Sequence, residues 1–97
     1  SLGLQGLFVH ELTHVWQAQR GIGLLGAKLR CGDGPEAYAY DLMSGHSFHD
    51  LNIEQQAMVV QHAFLASRRA PTPYSPLAYG AFLAGFCAFG PDKPRKV

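Results

Sequence analysis

This sequence has few charged residues, few cysteines and no long apolar run. Charged residues make up 15% of its 97 positions and the formal net charge is +1, so we expect no surface for nucleic acid. Two cysteines, Cys31 and Cys87, are too few for a disulfide framework, and we favour unpaired thiols over a single bridge. No stretch approaches the roughly 18 apolar residues that a membrane-spanning helix needs. These absences point away from nucleic-acid-binding, disulfide-stabilised and membrane-spanning proteins.

The residues that are present suffice for one small folded domain. Hydrophobic residues amount to 47% of the chain, which is ordinary for a globular protein and argues against disorder. The first residue is not Met, and only nine residues precede a histidine motif. We therefore expect the chain to be the C-terminal part of something longer.

The histidine motif reads H-E-x-x-H and occupies residues 10–14 of an apolar, helix-compatible run. Residues four apart lie on the same face of an α-helix, so His10 and His14 can offer two imidazoles to one metal ion. Glu11 sits at the edge of that face, where a carboxylate can reach a metal-bound water without being a ligand. Two nitrogen ligands beside a general base are typical of a zinc peptidase.

Apolar spacing and capping signals predict a mainly α-helical fold. The first helix should run from residue 2 to about 19, although Gly3 and Gly6 weaken its first turns and favour a later ordered start. A second helix is predicted over about 51–67, capped either by Asp50 or by Asn52. If Asn52 is the cap, Gln55 completes a capping box.

The remaining segments are predicted from their turn residues and aromatic pattern. We expect a turn of helix at 24–29 and a short strand or extended segment at 37–42 between the two main helices. Prolines at 71, 73 and 76 favour an extended connection, followed by a third helix at 77–89. The chain is thus divided into a metal-binding core (1–70), a proline-rich connection (71–76), an apolar helix packed on that core (77–89) and a basic tail (90–97).

A zinc site needs a third protein ligand, with the fourth position left to water. Glu54 is the strongest candidate, because it lies in the first turn of the second helix about forty residues after His14. This separation lets the chain turn back and bring the two helices together. The other candidates downstream of the motif are Asp41, His46, His49, Asp50 and His62. The sequence after His14 lacks the extension with a third histidine, which excludes the three-histidine class.

The combination of His10-Glu11-Leu12-Thr13-His14 with Glu54 resembles the gluzincins, zinc metallopeptidases whose third ligand is a glutamate. The similarity is closest to small bacterial proteins labelled Vgr-related, and it rests on residues 6–17, 38–40, 53–57 and 62–65. The resemblance implies a minimal α+β zincin-like domain with an upstream sheet missing. It also implies one Zn²⁺ per chain held by His10, His14 and Glu54, with Glu11 as general base.

Several supporting roles stay open at the level of sequence. The donor that stabilises the oxyanion could be Tyr38, Tyr40, His46 or His49, of which we name Tyr40 and His49 as working candidates. The partners that orient the two imidazoles could be Asp41, Asp50, Asn52 or Gln61. Trp16 is expected to pack in the core.

The function predicted from these features is zinc-dependent hydrolysis of peptide bonds in a peptide or protein substrate. The alternative is a zinc-binding structural or adaptor domain without turnover, linked to bacterial type VI secretion by the Vgr-related resemblance and partnered by a secretion-system component. A membrane-associating role for the apolar segment 77–89 is much less favoured than packing on the core. The resemblance leaves the bacterial cytoplasm and secretion as an effector both open.

Overall fold

The computed structural model describes residues 1–32 and 34–88, the last four as backbone only. This part of the chain forms four α-helices: α1 (Leu2–Gln19), α2 (Leu24–Cys31), α3 (Ile53–Ser67) and α4 (Pro76–Ala88). Short 3₁₀ turns at Pro35–Ala37 and Phe48–Asp50 interrupt the long connection between α2 and α3. The prediction of a mainly α-helical small domain is confirmed.

Helix α1 begins earlier than its glycines suggest. The Ser1 hydroxyl accepts a hydrogen bond from the Leu4 amide at 3.2 Å and caps the first turn. A cap of this kind stabilises a helix start by about 1 kcal/mol, which offsets the weak propensity of Gly3 and Gly6. The helix therefore starts at Leu2, and the expectation of a later ordered start is wrong.

Helix α3 begins with Asn52 as its cap, which is one of the two caps that the sequence offered, the other being Asp50. The Asn52 side chain accepts from the Gln55 amide at 2.7 Å, and the Gln55 side chain accepts from the Asn52 amide at 2.9 Å. Reciprocal bonds of this kind satisfy two backbone donors that the first turn would otherwise leave free. Because this capping box sets the start of the helix, Glu54 is held in its first turn.

No strand occurs among residues 1–32 and 34–88, so the short strand predicted at 37–42 is absent and the extended alternative stays a prediction. A 3₁₀ turn ends at Ala37, and residues 39–41 have no regular secondary structure. Side chains at the start of α3 hold this segment, because Asn52 Nδ2 donates to the Ala37 carbonyl at 3.1 Å and Gln55 Nε2 donates to the Ala39 carbonyl at 2.6 Å. The segment thus lies along the first turns of α3.

The most extensive helix packing joins α1 to α3. Ala57 is fully buried, and a Cβ placed on Gly6 would lie only 3.1 Å from Leu65 Cδ2. Small residues at facing positions allow two helix backbones to approach closely. This packing brings the motif-bearing helix against the helix that carries Glu54.

The apolar core lies between α3, α4 and the 3₁₀ turn at Phe48. Its buried members are Leu42, Phe48, Val59, Ala66 and Tyr79. Trp16 is partly buried and packs against this cluster, with its ring 6.4 Å from that of Phe48. Its predicted packing in the core is therefore confirmed.

Helix α1 turns its polar side inward. Its buried residues are Gly6, His10, Thr13 and Gln17, whereas the large apolar residues whose three- and four-residue spacing predicted the helix are largely exposed. These exposed residues are Leu4, Leu7, Phe8, Leu12 and Val15. The buried face of the helix is thus the one that carries the histidines.

The predicted tail at 90–97 and the last residue of the predicted third helix, Phe89, lie outside the described residues. The division of the chain at residues 70 and 76 stays a prediction. Of the helices that the structure describes, none combines the length and the apolar character that crossing a bilayer demands.

Candidate metal centre

Two imidazoles from α1 and one carboxylate from α3 meet between these helices. Glu54 Oε1 lies 3.2 Å from His10 Nε2 and 3.1 Å from His14 Nε2. His10 and Glu54 are buried, and His14 is half-buried. Among the described residues, these three form the one group of His, Cys, Asp or Glu side chains whose ligand atoms all lie within 4.8 Å.

Each imidazole is oriented by a glutamine amide on its far side. His10 Nδ1 lies 2.9 Å from Gln61 Oε1, and His14 Nδ1 lies 2.8 Å from Gln17 Oε1. An amide oxygen can only accept a hydrogen bond, so both Nδ1 atoms must donate. In a neutral imidazole the proton is then on Nδ1, and the Nε2 lone pair is directed at Glu54.

These tautomers make the centre a set of three acceptors. Glu54 Oε1 lies 3.1–3.2 Å from the two Nε2 atoms, and all three ligand atoms lie within 4.8 Å of one another. Such a group of acceptors is stable only with positive charge among its members, either as protons or as a metal ion. Ligands of a tetrahedral zinc with bonds of about 2.0–2.1 Å are separated by roughly 3.3 Å. The residues present therefore fit a tetrahedral Zn²⁺ in donor type and in spacing.

A chain of buried amides supports the His14 side of the centre. Gln17 is fully buried, and its Nε2 donates to Gln56 Oε1 at 2.8 Å and to the Ile53 carbonyl at 3.0 Å. Gln56 Nε2 in turn donates to the Phe48 carbonyl at 3.1 Å. Because each of these amides is bonded to a neighbour, the His14 ring is tied to the first turn of α3 and to the 3₁₀ turn that precedes it.

The second oxygen of Glu54 is bound by a lysine from α2. Lys28 Nζ lies 3.0 Å from Glu54 Oε2 and 3.3 Å from the Tyr38 hydroxyl. Burial by itself raises the pKa of Glu54, but the hydrogen bond from Lys28 and the positive charge of Lys28 lower it, and the pKa falls below its ordinary value. The same hydrogen bond to Glu54 raises the pKa of Lys28. Both groups are thus charged at neutral pH.

Glu11 is exposed on α1, between the two histidines in the chain. Helix geometry places it about 100° around α1 from His10 and about 60° from His14, and its side chain is exposed. It is not among the three converging groups. This position agrees with a carboxylate that reaches the centre from solvent rather than serving as a ligand.

Tyr40, one of the two working candidates for the oxyanion donor, is bonded within an aromatic cluster. Its hydroxyl lies 2.6 Å from His62 Nδ1 and 2.5 Å from the Tyr79 hydroxyl. Burial, together with the Tyr79 hydroxyl, raises the pKa of Tyr40. These contacts give Tyr40 a structural role where α3 meets α4, and its catalytic role stays a prediction.

The other sequence candidates lie outside the converging group. His49, the second working candidate, lies on the 3₁₀ turn Phe48–Asp50 and lines a surface groove with Cys31 and Ile53. Asp50 binds the Ser47 amide and hydroxyl, which lower its pKa. Asp41 accepts from the Tyr74 hydroxyl and the Met43 amide. Of the four residues proposed to orient the imidazoles, Gln61 is the one that the structure places against a ring.

Three residues of the centre were not anticipated from the sequence: Gln17, Gln56 and Lys28. Gln17 follows His14 by three residues and so shares its helix face, a signal that a search for a polar partner at that spacing would have found. Gln56 and Lys28 reach the centre through the folding of the α2–α3 connection. Lys28 is separated from Glu54 by 26 positions, and no periodicity relates the two.

The chain is similar in sequence to a protein of known designation. This relative is the type VI secretion system spike protein VgrG2b of Pseudomonas aeruginosa, 47% identical over 72 residues that cover 67% of this chain. The matched region is 7% of the length of that relative. No protein-family model matches the chain, and no solved structure matches it. The likeness supports the predicted link to Vgr-related proteins.

Proposed function

We propose that this chain is a zinc-binding module of type VI secretion and that its metal centre hydrolyses peptide bonds. The observation that carries the proposal is the meeting of His10 Nε2, His14 Nε2 and Glu54 Oε1 within hydrogen-bonding distance, with both Nδ1 atoms already donating. A centre of two imidazoles and one carboxylate leaves one tetrahedral position to a water or a substrate oxygen.

The link to secretion rests on the relative. The name of VgrG2b describes a spike protein of a type VI secretion system, and this chain matches 7% of its length. A module of this size attached to a spike could be an enzyme that is delivered or a part that helps to assemble the spike. Glu11 distinguishes these two roles, because an enzyme needs a general base beside the metal and a structural part does not.

The catalytic role follows from the residues of α1 and α3. Bound zinc supplies Lewis-acid activation of water and of a substrate carbonyl. His10, His14 and Glu54 would hold the ion, and the glutamines behind the rings would keep both Nε2 atoms unprotonated. The Glu11 carboxylate takes the proton of the attacking water and passes it to the amine that leaves.

The second candidate is the same zinc-binding module without turnover. It is favoured by the name of the relative, which describes a spike component and no enzymatic activity. In that case the zinc would join α1 to α3 and stabilise the fold, as structural zinc sites do. An exposed Glu11 beside the ligands has no task in such a site.

Metal content tests the binding of zinc. We expect about one zinc per chain in the purified protein by elemental analysis, and a loss of zinc in Glu54→Ala. Glu36→Ala is the matched control, because Glu36 is an exposed glutamate on a 3₁₀ turn and its loss should leave zinc in place. Zinc retained in Glu54→Ala, or absent from the wild type after metal is added, would contradict the proposed ligand set.

Glu11→Gln separates the two candidates. The amide is nearly the same size as the carboxylate but cannot take a proton, so the variant should keep its zinc and lose hydrolysis of a fluorogenic peptide library by a factor of about 10² or more. Equal turnover in wild type and variant would reject Glu11 as the base. A zinc-loaded wild type that cleaves no peptide would support the module without turnover.

A further inference from the structure

We propose that Lys28 is a positioning residue that makes Glu54 a ligand through one oxygen only and so keeps a place on the metal for water. The inference rests on the zinc site proposed above and concerns how its carboxylate is held. Nothing in the H-E-x-x-H motif points to this lysine, which reaches the centre from α2.

The two oxygens of Glu54 have different partners. Oε1 faces the two imidazole nitrogens at 3.2 Å and 3.1 Å, whereas Oε2 is 3.0 Å from Lys28 Nζ. The Glu54 side chain is 7% exposed, so water has little access to compete for Oε2. A charge-assisted hydrogen bond in such surroundings is stronger than a neutral one. The carboxylate is therefore held with one edge toward the centre and the other toward α2.

Lys28 is itself held in place. Its ammonium group lies 3.3 Å from the Tyr38 hydroxyl and 5.4 Å from the centre of the Tyr38 ring, a distance at which a cation is attracted to an aromatic face. Helix α2 is anchored by the buried Ala27, next to Lys28 in the chain. The lysine thus approaches Glu54 from a fixed direction.

Binding through one oxygen matters because a tetrahedral ion has four positions. Two imidazoles and one carboxylate oxygen occupy three of them, and catalysis requires the fourth. A carboxylate that bound through both oxygens would compete with water for that position. By engaging Oε2, Lys28 removes the second oxygen from this competition.

The test is X-ray absorption at the zinc edge on the zinc-loaded protein, with Lys28→Met compared with the wild type. Binding by both oxygens brings a second oxygen and the carboxyl carbon closer to the metal, which changes the scattering. We expect the wild type to show one Glu54 oxygen per zinc and Lys28→Met to gain about one more. Lys28→Arg, which keeps a positive donor at this place, should restore the wild-type spectrum.

Arg30→Met is the matched control. It removes one positive charge from the same helix, but Arg30 is exposed and should leave the spectrum unchanged. Identical spectra for wild type and Lys28→Met would overturn the positioning role, as would two Glu54 oxygens on zinc in the wild type. The wild-type spectrum tests whether Glu54 binds through one oxygen even if Lys28→Met fails to fold. Absence of zinc from the wild type would instead refute the proposed function.

Discussion

At the scale of single residues, the candidate centre depends on which ring nitrogen carries the proton. His10 Nδ1 donates to Gln61 Oε1, and His14 Nδ1 donates to Gln17 Oε1. An acidic partner would give a similar tautomer but would add negative charge to the centre. Two neutral amides orient the rings and leave Glu54 as the one anionic ligand, so the net charge of a zinc centre here would be +1 (two from the ion, less one from Glu54).

His62 provides a pH-dependent contribution to stability at the same scale. Burial lowers the pKa of His62 below its ordinary value of 6.5. The unfolded chain then binds more protons than the folded one between the two pKa values. The free energy of unfolding should therefore fall as the pH drops below 6.5 toward the lower folded value.

We expect this loss of stability to be smaller in His62→Gln than in the wild type. The measurement is urea unfolding of both proteins at several pH values between about 7 and 5. The other histidines are common to both proteins, so the difference between the two curves isolates His62. Parallel curves would show that folding does not shift the pKa of His62.

At the scale of secondary-structure elements, α1 contains two glycines with different surroundings. A Cβ on Gly3 would have no atom within 4 Å outside its own helix, whereas a Cβ on Gly6 would meet Leu65 at 3.1 Å. Replacing glycine by alanine inside a helix gains about 0.5–1 kcal/mol through the backbone. At Gly6 that gain is opposed by crowding where α1 approaches α3 most closely.

We therefore predict that Gly3→Ala raises the free energy of unfolding by about 0.5–1 kcal/mol and that Gly6→Ala raises it less or lowers it. Each variant serves as the control for the other, because both make the same chemical change on the same helix. Thermal and urea unfolding would measure the effect. An equal gain at both positions would show that Leu65 moves aside without cost.

The helix boundaries were largely predictable because local rules determine them. Residues 2–19 and the Asn52–Gln55 capping box follow from spacing and caps, and the structure bears out both. The inward-facing side of α1 was not predictable in the same way. Its apolar residues are on the solvent side of this chain, because α1 packs against α3 through the face that carries His10, Thr13 and Gln17.

At the scale of the whole molecule, the outer face of α1 is an unusual surface. Leu4, Phe8 and Leu12 are 67%, 63% and 48% exposed. Contiguous apolar surface of this kind favours association with other molecules. The core itself is small and centred on Phe48, Val59 and Tyr79, so the stability of the domain should depend on those residues rather than on the outer face.

Two Phe→Ser substitutions test whether stability depends on the core rather than on the outer face of α1. Phe8→Ser should change the free energy of unfolding by no more than about 0.5 kcal/mol and should reduce self-association in analytical ultracentrifugation. Phe48→Ser removes a ring that is 2% exposed and should cost about 3–5 kcal/mol. A large loss of stability in Phe8→Ser would mean that the outer face of α1 is covered in solution.

The sequence by itself determined the two main helices and the pair of histidines one turn apart, because each follows from interactions within a few residues, and it offered the capping box as one of two options. It also made Glu54 the strongest candidate for a third ligand. Only the tertiary structure decided that Glu54 lies against both histidines, that glutamines set their tautomers and that Lys28 binds the second carboxylate oxygen. Those contacts join residues up to 51 positions apart, and a chain brings such residues together only when its helices pack.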